Sequence, residues 1–158
     1  MRIGIGYDAH QLTPGRPLVL GGVKISFEKG LEGWSDADVL SHAIMDSLLG
    51  AAGLRDIGYH FPPNDPAYKD ISSVTLLNRV ADLLKSNGWR IGNIDATIIA
   101  ERPLLRPFIS QMKQNIALAL SIGETQIGIK ATTNEGMGFV GREEGIAAYS
   151  VALLEKAR

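Results

Sequence analysis

The stretch GIGYDAHQLTPGRP at residues 4–17 decides between two folds for this chain. Its first six residues match the G-x-G-x-x-A pattern of dinucleotide-binding proteins, which requires a full strand before the glycines and a helix after them. Only three residues precede Gly4, and the proline- and glycine-containing run at 14–17 would break a following helix. Asp8 would also repel a pyrophosphate. We therefore interpret the stretch as a strand that runs into a turn.

Asp8 and His10 lie two positions apart in this strand, so their side chains point to the same face. A carboxylate and an imidazole that point to one place are suitable ligands for a metal ion. Because the chain has no cysteine, Zn²⁺ would need His, Asp or Glu ligands.

His42 is the candidate third ligand, and Asp38 and Asp46 flank it at i−4 and i+4 on one helix stripe. One interpretation is a solvated, charged helix face. The other is that His42 completes a site with residues 8 and 10, while one flanking acid orients its ring. Sequence spacing alone does not show that these residues meet, so both interpretations stay open at this point.

Composition favours one ordinary globular domain over residues 1–158, with 45% hydrophobic and 21% charged residues. A net charge of −1 argues against a nucleic-acid partner, and no apolar run is long enough to span a bilayer. Because the candidate site starts at residue 8, we expect no leader peptide and a cytoplasmic location.

The hydrophobic pattern predicts an α+β domain of layered helices and strands. The predicted elements are a strand at 2–10, a hairpin at 16–27 around Gly21-Gly22, a helix at 35–53 with a Ser35–Asp38 capping box, an irregular loop at 54–70, a helix at 71–88, a strand at 89–101, a helix at 106–123, a strand at 125–134, a glycine-rich turn at 135–145, and a tail at 146–156 that could be helix or strand.

A second cluster of polar residues lies in KATTNEGMGFVGR at 130–142. Its hydroxyl, amide and guanidinium groups suit a phosphate, and a carboxylate there could hold a hard cation between phosphates. The alternative is a threonine-rich strand end with a solvated glutamate. The candidates are Lys130, Thr132, Thr133, Glu135 and Arg142, with loop carboxylates Asp56 and Asp65 and the cations Arg102 and Arg106. His60 is predicted to be a loop histidine and not a ligand.

Five motifs together resemble the 2-C-methyl-D-erythritol 2,4-cyclodiphosphate synthase family from Met1 to about Lys156: YDAH, SDADVLSHAIMDSLLGAAGLRDIG, HFPPNDP, NIDATIIAERP and KATTNEGMGFVGREEGIAA. The resemblance implies that 4-diphosphocytidyl-2-C-methyl-D-erythritol 2-phosphate is converted to the cyclic diphosphate with release of CMP. It also implies a mixed four-stranded sheet with helices and an N-terminal hairpin, and a homotrimer with active sites between subunits. It further implies that the tail is a strand.

The same resemblance implies Zn²⁺ ligands Asp8, His10 and His42, and a Mg²⁺ or Mn²⁺ held by Glu135. Thr133 and Trp34 occupy catalytic positions of the family. The implied substrate-binding set is Asp8, His10, Trp34, Ser35, Asp56, Ile57, Gly58, Phe61, Pro62, Pro63, Asn64, Asp65, Ala100, Glu101, Arg102, Pro103, Leu104, Leu105, Arg106, Thr132, Thr133, Asn134, Glu135, Phe139 and Arg142.

Two positions depart from the family pattern. Trp34 replaces the usual histidine, so we expect it to enclose the site and not to donate protons. Leu104 replaces a lysine that is common in the family, which leaves Arg106 as the nearby cation.

Three further hypotheses involve diphosphate ligands. A zinc phosphohydrolase and a binding module for metal or isoprenoid diphosphate are the rival functions. The third hypothesis is that an isoprenoid diphosphate binds on the trimer axis. It is motivated by the arrangement of Arg142, Glu144 and Tyr7 in the family.

Overall fold

The computed structural model describes residues 1–157. The elements in this range are β1 (Arg2–Pro14), β2 (Leu18–Leu20), β3 (Val23–Ile25), β4 (Lys29–Leu31), α1 (Val39–Ala52), α2 (Ile57–His60), α3 (Ser73–Ser86), β5 (Trp89–Ile99), α4 (Ile109–Leu120), β6 (Ile127–Thr132), α5 (Gly138–Gly141) and β7 (Gly145–Lys156). Short 3₁₀ turns lie at Pro66–Tyr68, Arg106–Phe108 and Glu124–Gln126.

A mixed sheet of five strands forms one layer, in the order β4-β1-β7-β5-β6. β7 runs antiparallel to β1 and β5, and β5 runs parallel to β6. β2 and β3 form the separate hairpin that Gly21-Gly22 predicts. The α+β class and the mixed sheet are confirmed, but the structure has one sheet strand more than the predicted four. β4 escapes prediction because its three residues are too few to show alternation.

The C-terminal tail is a strand, as the resemblance implied, and β7 occupies the centre of the sheet. Its alternate side chains face two environments. Ala148, Ser150 and Ala152 are buried on the side of the helices, whereas Tyr149 and Val151 on the other side are 49% and 45% exposed. One face of the sheet therefore packs on helices, and the other is open in the single chain.

Two glycines let α1 lie unusually close to β1. A Cβ atom on Gly6 would lie 1.9 Å from the carbonyl oxygen of Ala43, and one on Gly4 would lie 2.1 Å from that of Ser47. Any side chain at either position would push the helix away from the strand. Because His42 precedes Ala43, these glycines determine how near His42 comes to β1.

The start of α1 differs from the prediction. The helix begins at Val39 and not at Ser35, and Asp38 is its N-cap, accepting a hydrogen bond from the Ser41 N–H at 3.1 Å. The predicted capping box is wrong because Ser35 lies outside the helix, where its Oγ accepts a hydrogen bond from the Ala37 N–H.

Other boundaries change as well, and β1 extends to Pro14, beyond its predicted end at residue 10. The predicted loop at 54–70 contains α2 and a 3₁₀ turn, and the glycine-rich turn contains α5. The helix predicted from residue 106 begins as a 3₁₀ turn and becomes α-helical at Ile109. No helix among residues 1–157 is long and apolar enough to cross a membrane.

We expect Gly6→Ala to lower the free energy of unfolding by about 1–3 kcal/mol, because the added methyl group collides with a backbone carbonyl that cannot rotate away. Gly50→Ala in α1 is the matched control. Its added Cβ would have its nearest neighbour, the Ile5 oxygen, at 3.9 Å, so the better helix propensity of alanine should stabilise by up to about 1 kcal/mol. Urea unfolding of both variants measures the difference, and equal stability would contradict the close-approach argument.

Candidate metal centre

Three side chains from two elements converge beside β1. Asp8 and His10 of β1 point to the same side of the sheet, where His42 of α1 lies. Asp8 Oδ2 is 2.8 Å from His10 Nε2 and 2.9 Å from His42 Nδ1, and the two nitrogens are 3.2 Å apart. The structure thus brings together the three predicted ligands, which we call the metal triad.

The spacing of these donor atoms fits one divalent metal ion. Ligand atoms about 2.0 Å from a tetrahedral metal lie about 3.3 Å from one another. The three separations of 2.8–3.2 Å are close to that value. Three protein ligands leave a fourth position open, which is typical of catalytic and not of structural metal sites.

Hydrogen bonds hold the remaining nitrogen of each histidine. His10 Nδ1 donates to the Glu32 carbonyl oxygen at 2.6 Å. His42 Nε2 lies 3.0 Å from Ser73 Oγ, whose own proton is donated to the carboxylate of Asp36. Ser73 therefore accepts a hydrogen bond from His42 Nε2–H, and Ser35 Oγ lies 3.2 Å from the same nitrogen. In the neutral form, each imidazole therefore carries its proton on the outward nitrogen and leaves the inward nitrogen free for a metal, and only a protonated ring donates to Asp8.

Neither acid that flanks His42 on α1 has the predicted role. Asp38 is fully buried and accepts hydrogen bonds from the N–H groups of residues 21–22 at 2.9 and 2.8 Å, so it joins the hairpin to α1. Burial raises the pKa of Asp38. Asp46 accepts a hydrogen bond from the Ile57 N–H at 2.9 Å. The solvated-face interpretation is therefore wrong. In the other interpretation, the meeting of His42 with residues 8 and 10 is confirmed, and only the orienting role of a flanking acid is wrong.

The two histidines control the ionisation of Asp8. Burial favours its neutral form, but the hydrogen bonds from His10 and His42 outweigh burial and lower the pKa of Asp8 to about 2. Burial opposes protonation of His10, yet the hydrogen bond to Asp8 raises the pKa of this imidazole. The carboxylate is consequently ionised at neutral pH and supplies the negative charge that attracts a cation.

The metal triad opens into a cavity of about 240 Å³. The predicted substrate-binding residues that line it are Trp34, Ser35, Ile57, Gly58, Phe61 and Pro63. Tyr68 and Leu76 also line it and escape prediction, because apolar residues in such positions are ordinarily core residues.

The other candidates from this part of the chain cap helices or face solvent. Asp56 and Asp65 accept hydrogen bonds at 2.9 Å from backbone N–H groups of α2 and of the following 3₁₀ turn. Pro62 and Asn64 are exposed. His60, which was not predicted as a ligand, lies 2.7 Å from a backbone carbonyl oxygen.

A second cavity of about 630 Å³ lies where the parallel strands β5 and β6 end. The predicted residues that line it are Ala100, Glu101, Pro103, Leu104, Leu105, Arg106, Lys130, Thr132 and Thr133, and the Lys130 ammonium is paired with Asp95 at 2.7 Å. Arg102 is not part of this lining and forms ion pairs with Glu143 at 3.1 Å and Glu28 at 2.8 Å. Carboxyl ends of neighbouring parallel strands meet at one sheet edge, and for this reason the two segments form one pocket.

The remaining candidates after β6 lie outside both cavities. The Asn134 N–H donates to a carboxylate of the preceding loop at 2.9 Å, and Glu135 is exposed with a left-handed φ of 51°. The Arg142 guanidinium is paired with a neighbouring carboxylate at 2.8 Å. Phe139 lines a separate cavity of about 450 Å³ together with His10.

Within one chain, the register of the sheet keeps the metal triad away from the Thr132 side chain at the end of β6. In the strand register, Asp8 of β1 pairs with Ala148 of β7, Ala148 pairs with Ile98 of β5, and Ile98 pairs with Ala131 of β6. Three strand spacings, about 14 Å in all, therefore separate Asp8 from β6. Ile98 faces the helices, as Asp8 does, so Ala131 does too and its neighbour Thr132 faces away. A single chain does not bring Thr132 to the metal triad.

Sequence reasoning misses the groups that orient the triad. Ser73 lies at the start of a helix, where serine is ordinarily a capping residue, so nothing local indicates its contact with His42. Asp36 is 37 residues away from Ser73 along the chain. The partner of His10 is a backbone carbonyl, which residue type cannot reveal.

The fold and the site together define an α+β protein with a candidate site for a divalent metal ion. The YgbB family model matches residues 1–155, and the chain belongs to this family. The 2-C-methyl-D-erythritol 2,4-cyclodiphosphate synthase of Dehalococcoides mccartyi is 60% identical over 156 residues, covering 99% of both chains. The Clostridium perfringens synthase of the same name is 61% identical over 156 residues, covering 99% of this chain and 100% of the relative.

Solved structures give the same result. The bifunctional IspDF of Campylobacter jejuni matches with a TM-score of 0.94 and 42% identity, over 98% of this chain and 42% of the longer protein. IspF of Plasmodium falciparum, solved as a CDP complex, matches with a TM-score of 0.87 and 35% identity, over 99% and 97% of the two chains. The family resemblance inferred from the motifs is confirmed.

We expect Ser73→Ala to weaken divalent-metal affinity about 10- to 100-fold, because His42 Nε2 loses the shorter of its two hydroxyl contacts, at 3.0 Å, and keeps only Ser35 Oγ at 3.2 Å. Ser72→Ala is the matched control, since the Ser72 side chain makes no capping hydrogen bond at the start of the same helix. Competition between protein and a chromophoric chelator for Zn²⁺ measures the affinity. Equal affinities of the two variants would contradict the orienting role of Ser73.

Proposed function

We propose that this chain converts 4-diphosphocytidyl-2-C-methyl-D-erythritol 2-phosphate into 2-C-methyl-D-erythritol 2,4-cyclodiphosphate and CMP, a step of isoprenoid biosynthesis. The observation that carries the proposal is the metal triad at an open cavity in a chain that is 60% identical, over nearly its full length, to synthases of this name. The enzyme is thus a lyase that acts on a phosphorus–oxygen bond.

The reaction is an internal displacement at phosphorus. An oxygen of the 2-phosphate forms a bond to the β-phosphorus, while the bond from that phosphorus to the bridging oxygen of CMP breaks. Both reacting groups are anions in one molecule, so their mutual repulsion opposes ring closure. Positioning and charge neutralisation are therefore the main tasks of the site.

Two metal positions serve these tasks. Asp8, His10 and His42 would hold Zn²⁺, and Glu135 would hold Mg²⁺ or Mn²⁺ with water and phosphate oxygens as its other ligands. When bound, such cations polarise phosphoryl oxygens and neutralise their charge. The donor set supports this assignment, because imidazole and carboxylate suit zinc whereas an exposed carboxylate alone suits Mg²⁺.

The residues around the metals divide between the two ends of the substrate. The methylerythritol end would bind to the lining of the metal cavity and to the loop that includes Asp56 and residues 61–65. Thr133 would stabilise the transition state, and Thr132, Asn134, Phe139 and Arg142 would complete the surroundings of the phosphates. Arg142 would have to exchange its present carboxylate partner for phosphate.

The cytidine end would bind in the second cavity, against residues 100–106. The similar Plasmodium falciparum structure contains CDP, which supports a cytidine nucleotide in this family. Leu104 is 74% exposed and apolar, so Arg106, the arginine of residues 100–106 that lines this cavity, would supply the charge for a nucleotide phosphate. A cytoplasmic location remains a prediction.

A homotrimer would complete the site. The open face of the sheet carries apolar residues with large exposed fractions: Ile3 73%, Ile5 69%, Tyr7 48%, Tyr149 49% and Val151 45%. A patch of this kind ordinarily marks a protein–protein contact. Burying it between three copies would let the end of β6 in one subunit approach the metal triad of the next. An isoprenoid diphosphate on the threefold axis also remains a prediction.

Phosphorus-31 NMR tests the reaction. With substrate, Zn²⁺ and Mg²⁺, the wild type should convert three substrate phosphorus signals into two coupled cyclic-diphosphate signals and one CMP signal. His42→Ala should lose Zn²⁺ and this conversion together, because two ligands do not hold a working site. Release of inorganic phosphate would favour the phosphohydrolase instead, and binding without conversion would favour the binding module.

Ile5→Glu tests the assembly. A charge on the open sheet face should convert the trimer into a monomer of 17.0 kDa and abolish turnover, while the metal triad of each chain still binds Zn²⁺. Leu118→Glu is the matched control, because Leu118 is 82% exposed on α4, away from the sheet face. Light scattering and metal analysis measure the outcome. A fully active Ile5→Glu monomer would contradict an intersubunit site.

A further inference from the structure

Trp34 is hydrogen-bonded to Asp65 and Asp70, which lie at the two ends of the segment that follows the cavity-lining residues Phe61 and Pro63. Its indole Nε1–H donates to the Asp65 carbonyl oxygen at 2.8 Å, and its own carbonyl oxygen accepts from the Asp70 N–H at 2.9 Å. The adjacent Asp36 N–H donates to the Ile71 carbonyl oxygen at 3.1 Å. The chain before α1 is therefore joined to residues 65–71, and the indole makes the contact nearest to the cavity.

Beyond the Phe61 N–H, which donates to the Ile57 carbonyl oxygen at 2.7 Å, the loop at residues 61–65 has little backbone bonding to hold it in place. Pro62 and Pro63 have no N–H to donate. Asn64 is exposed and has a left-handed φ of 71°. The Asp65 N–H makes only a long contact of 3.3 Å with the Pro62 carbonyl oxygen, inside the same loop. The Asp65 carbonyl oxygen accepts from the Tyr68 N–H at 3.0 Å within the following turn, and the bond from Trp34 connects this end of the loop to the segment before α1.

The same loop forms one wall of the metal cavity. Phe61 and Pro63 line that cavity together with the metal triad, and the ring of Trp34 lines it as well. Phe61 also packs edge-on against Tyr68, with ring centroids 5.6 Å apart. The position of Asp65 therefore sets the width of the space in which a phosphate would meet the metal triad.

We propose that Trp34 is a positioning residue whose indole N–H holds the loop at 61–65 closed over the metal triad. This inference rests on the proposed function only for its effect on turnover. The N–H is bonded to a carbonyl oxygen of the protein, so Trp34 shapes the wall and does not donate to the substrate. Substrate is bound in the ground state and the transition state by the same wall, so loss of the tie should act mainly on KM.

Trp34→Phe isolates the hydrogen bond, because phenylalanine keeps an aromatic ring in the wall and removes the donor. Trp89→Phe is the matched control, since the chain has two tryptophans and Trp89 lies at the start of β5, outside the cavity lining. In the Zn²⁺-loaded protein without substrate, hydrogen exchange of the Asp65 amide and of the Tyr68 amide, which donates to the Asp65 carbonyl oxygen at 3.0 Å, should become about 2- to 10-fold faster in Trp34→Phe. The control should leave it unchanged.

Kinetics and the indole signals complete the test. Trp34→Phe should raise KM about 2- to 10-fold with kcat within about twofold and with full Zn²⁺ content, and Trp34→Ala should raise KM further because the wall itself is lost. In the wild type, the indole N–H signal absent from Trp34→Phe should exchange slowly with solvent. Fast exchange of that signal, or unchanged loop exchange in Trp34→Phe, would overturn the proposal. An equal fall in kcat and kcat/KM would also overturn it, by assigning the N–H to the transition state.

The exchange measurements need no turnover, so they remain decisive if the wild type fails to form the cyclic diphosphate. In that outcome the proposed function falls while the tie between Trp34 and the loop stands.

Discussion

The close contact between α1 and β1 is the constraint on which the rest of the site depends. Ligand atoms of a tetrahedral metal lie about 3.3 Å apart, and the triad approaches this spacing only because the helix lies directly on the strand. Gly4 and Gly6 permit that contact, since a Cβ atom on Gly6 would lie 1.9 Å from the Ala43 oxygen. The metal centre is therefore as much a product of packing as of its ligands, His42 above all.

The sheet divides the chemistry of a single chain in two. The metal triad faces the helices, whereas Thr132 faces the opposite side of the sheet, across about 14 Å. That opposite side also carries the exposed apolar residues Ile5 and Val151. In the proposed trimer, subunit association would cover the apolar surface. The same association would bring the end of β6 to the metal triad of a neighbouring subunit.

Fixed hydrogen bonds arrange the site before any substrate arrives. Ser73 and Asp36 hold the tautomer of His42, and the Glu32 carbonyl oxygen holds that of His10. The Trp34 indole extends the same principle to the wall of the cavity. Such preorganisation suits a reaction in which two anionic groups must be held together, since no protein group then has to reorganise as charge moves.

The sequence by itself determined the α+β class, the long strands and helices, the family, and the three metal ligands as candidates, because periodic hydrophobicity and side-chain chemistry are local properties. It did not determine the strand β4, which is too short to show a pattern, or the start of α1, where Asp38 and not Ser35 is the cap. Only the tertiary structure decided that His42 meets residues 8–10, that Ser73 orients it, and that Trp34 holds residue 65. These are contacts between segments 31–34 residues apart, which depend on how the chain packs and leave no trace in the local pattern.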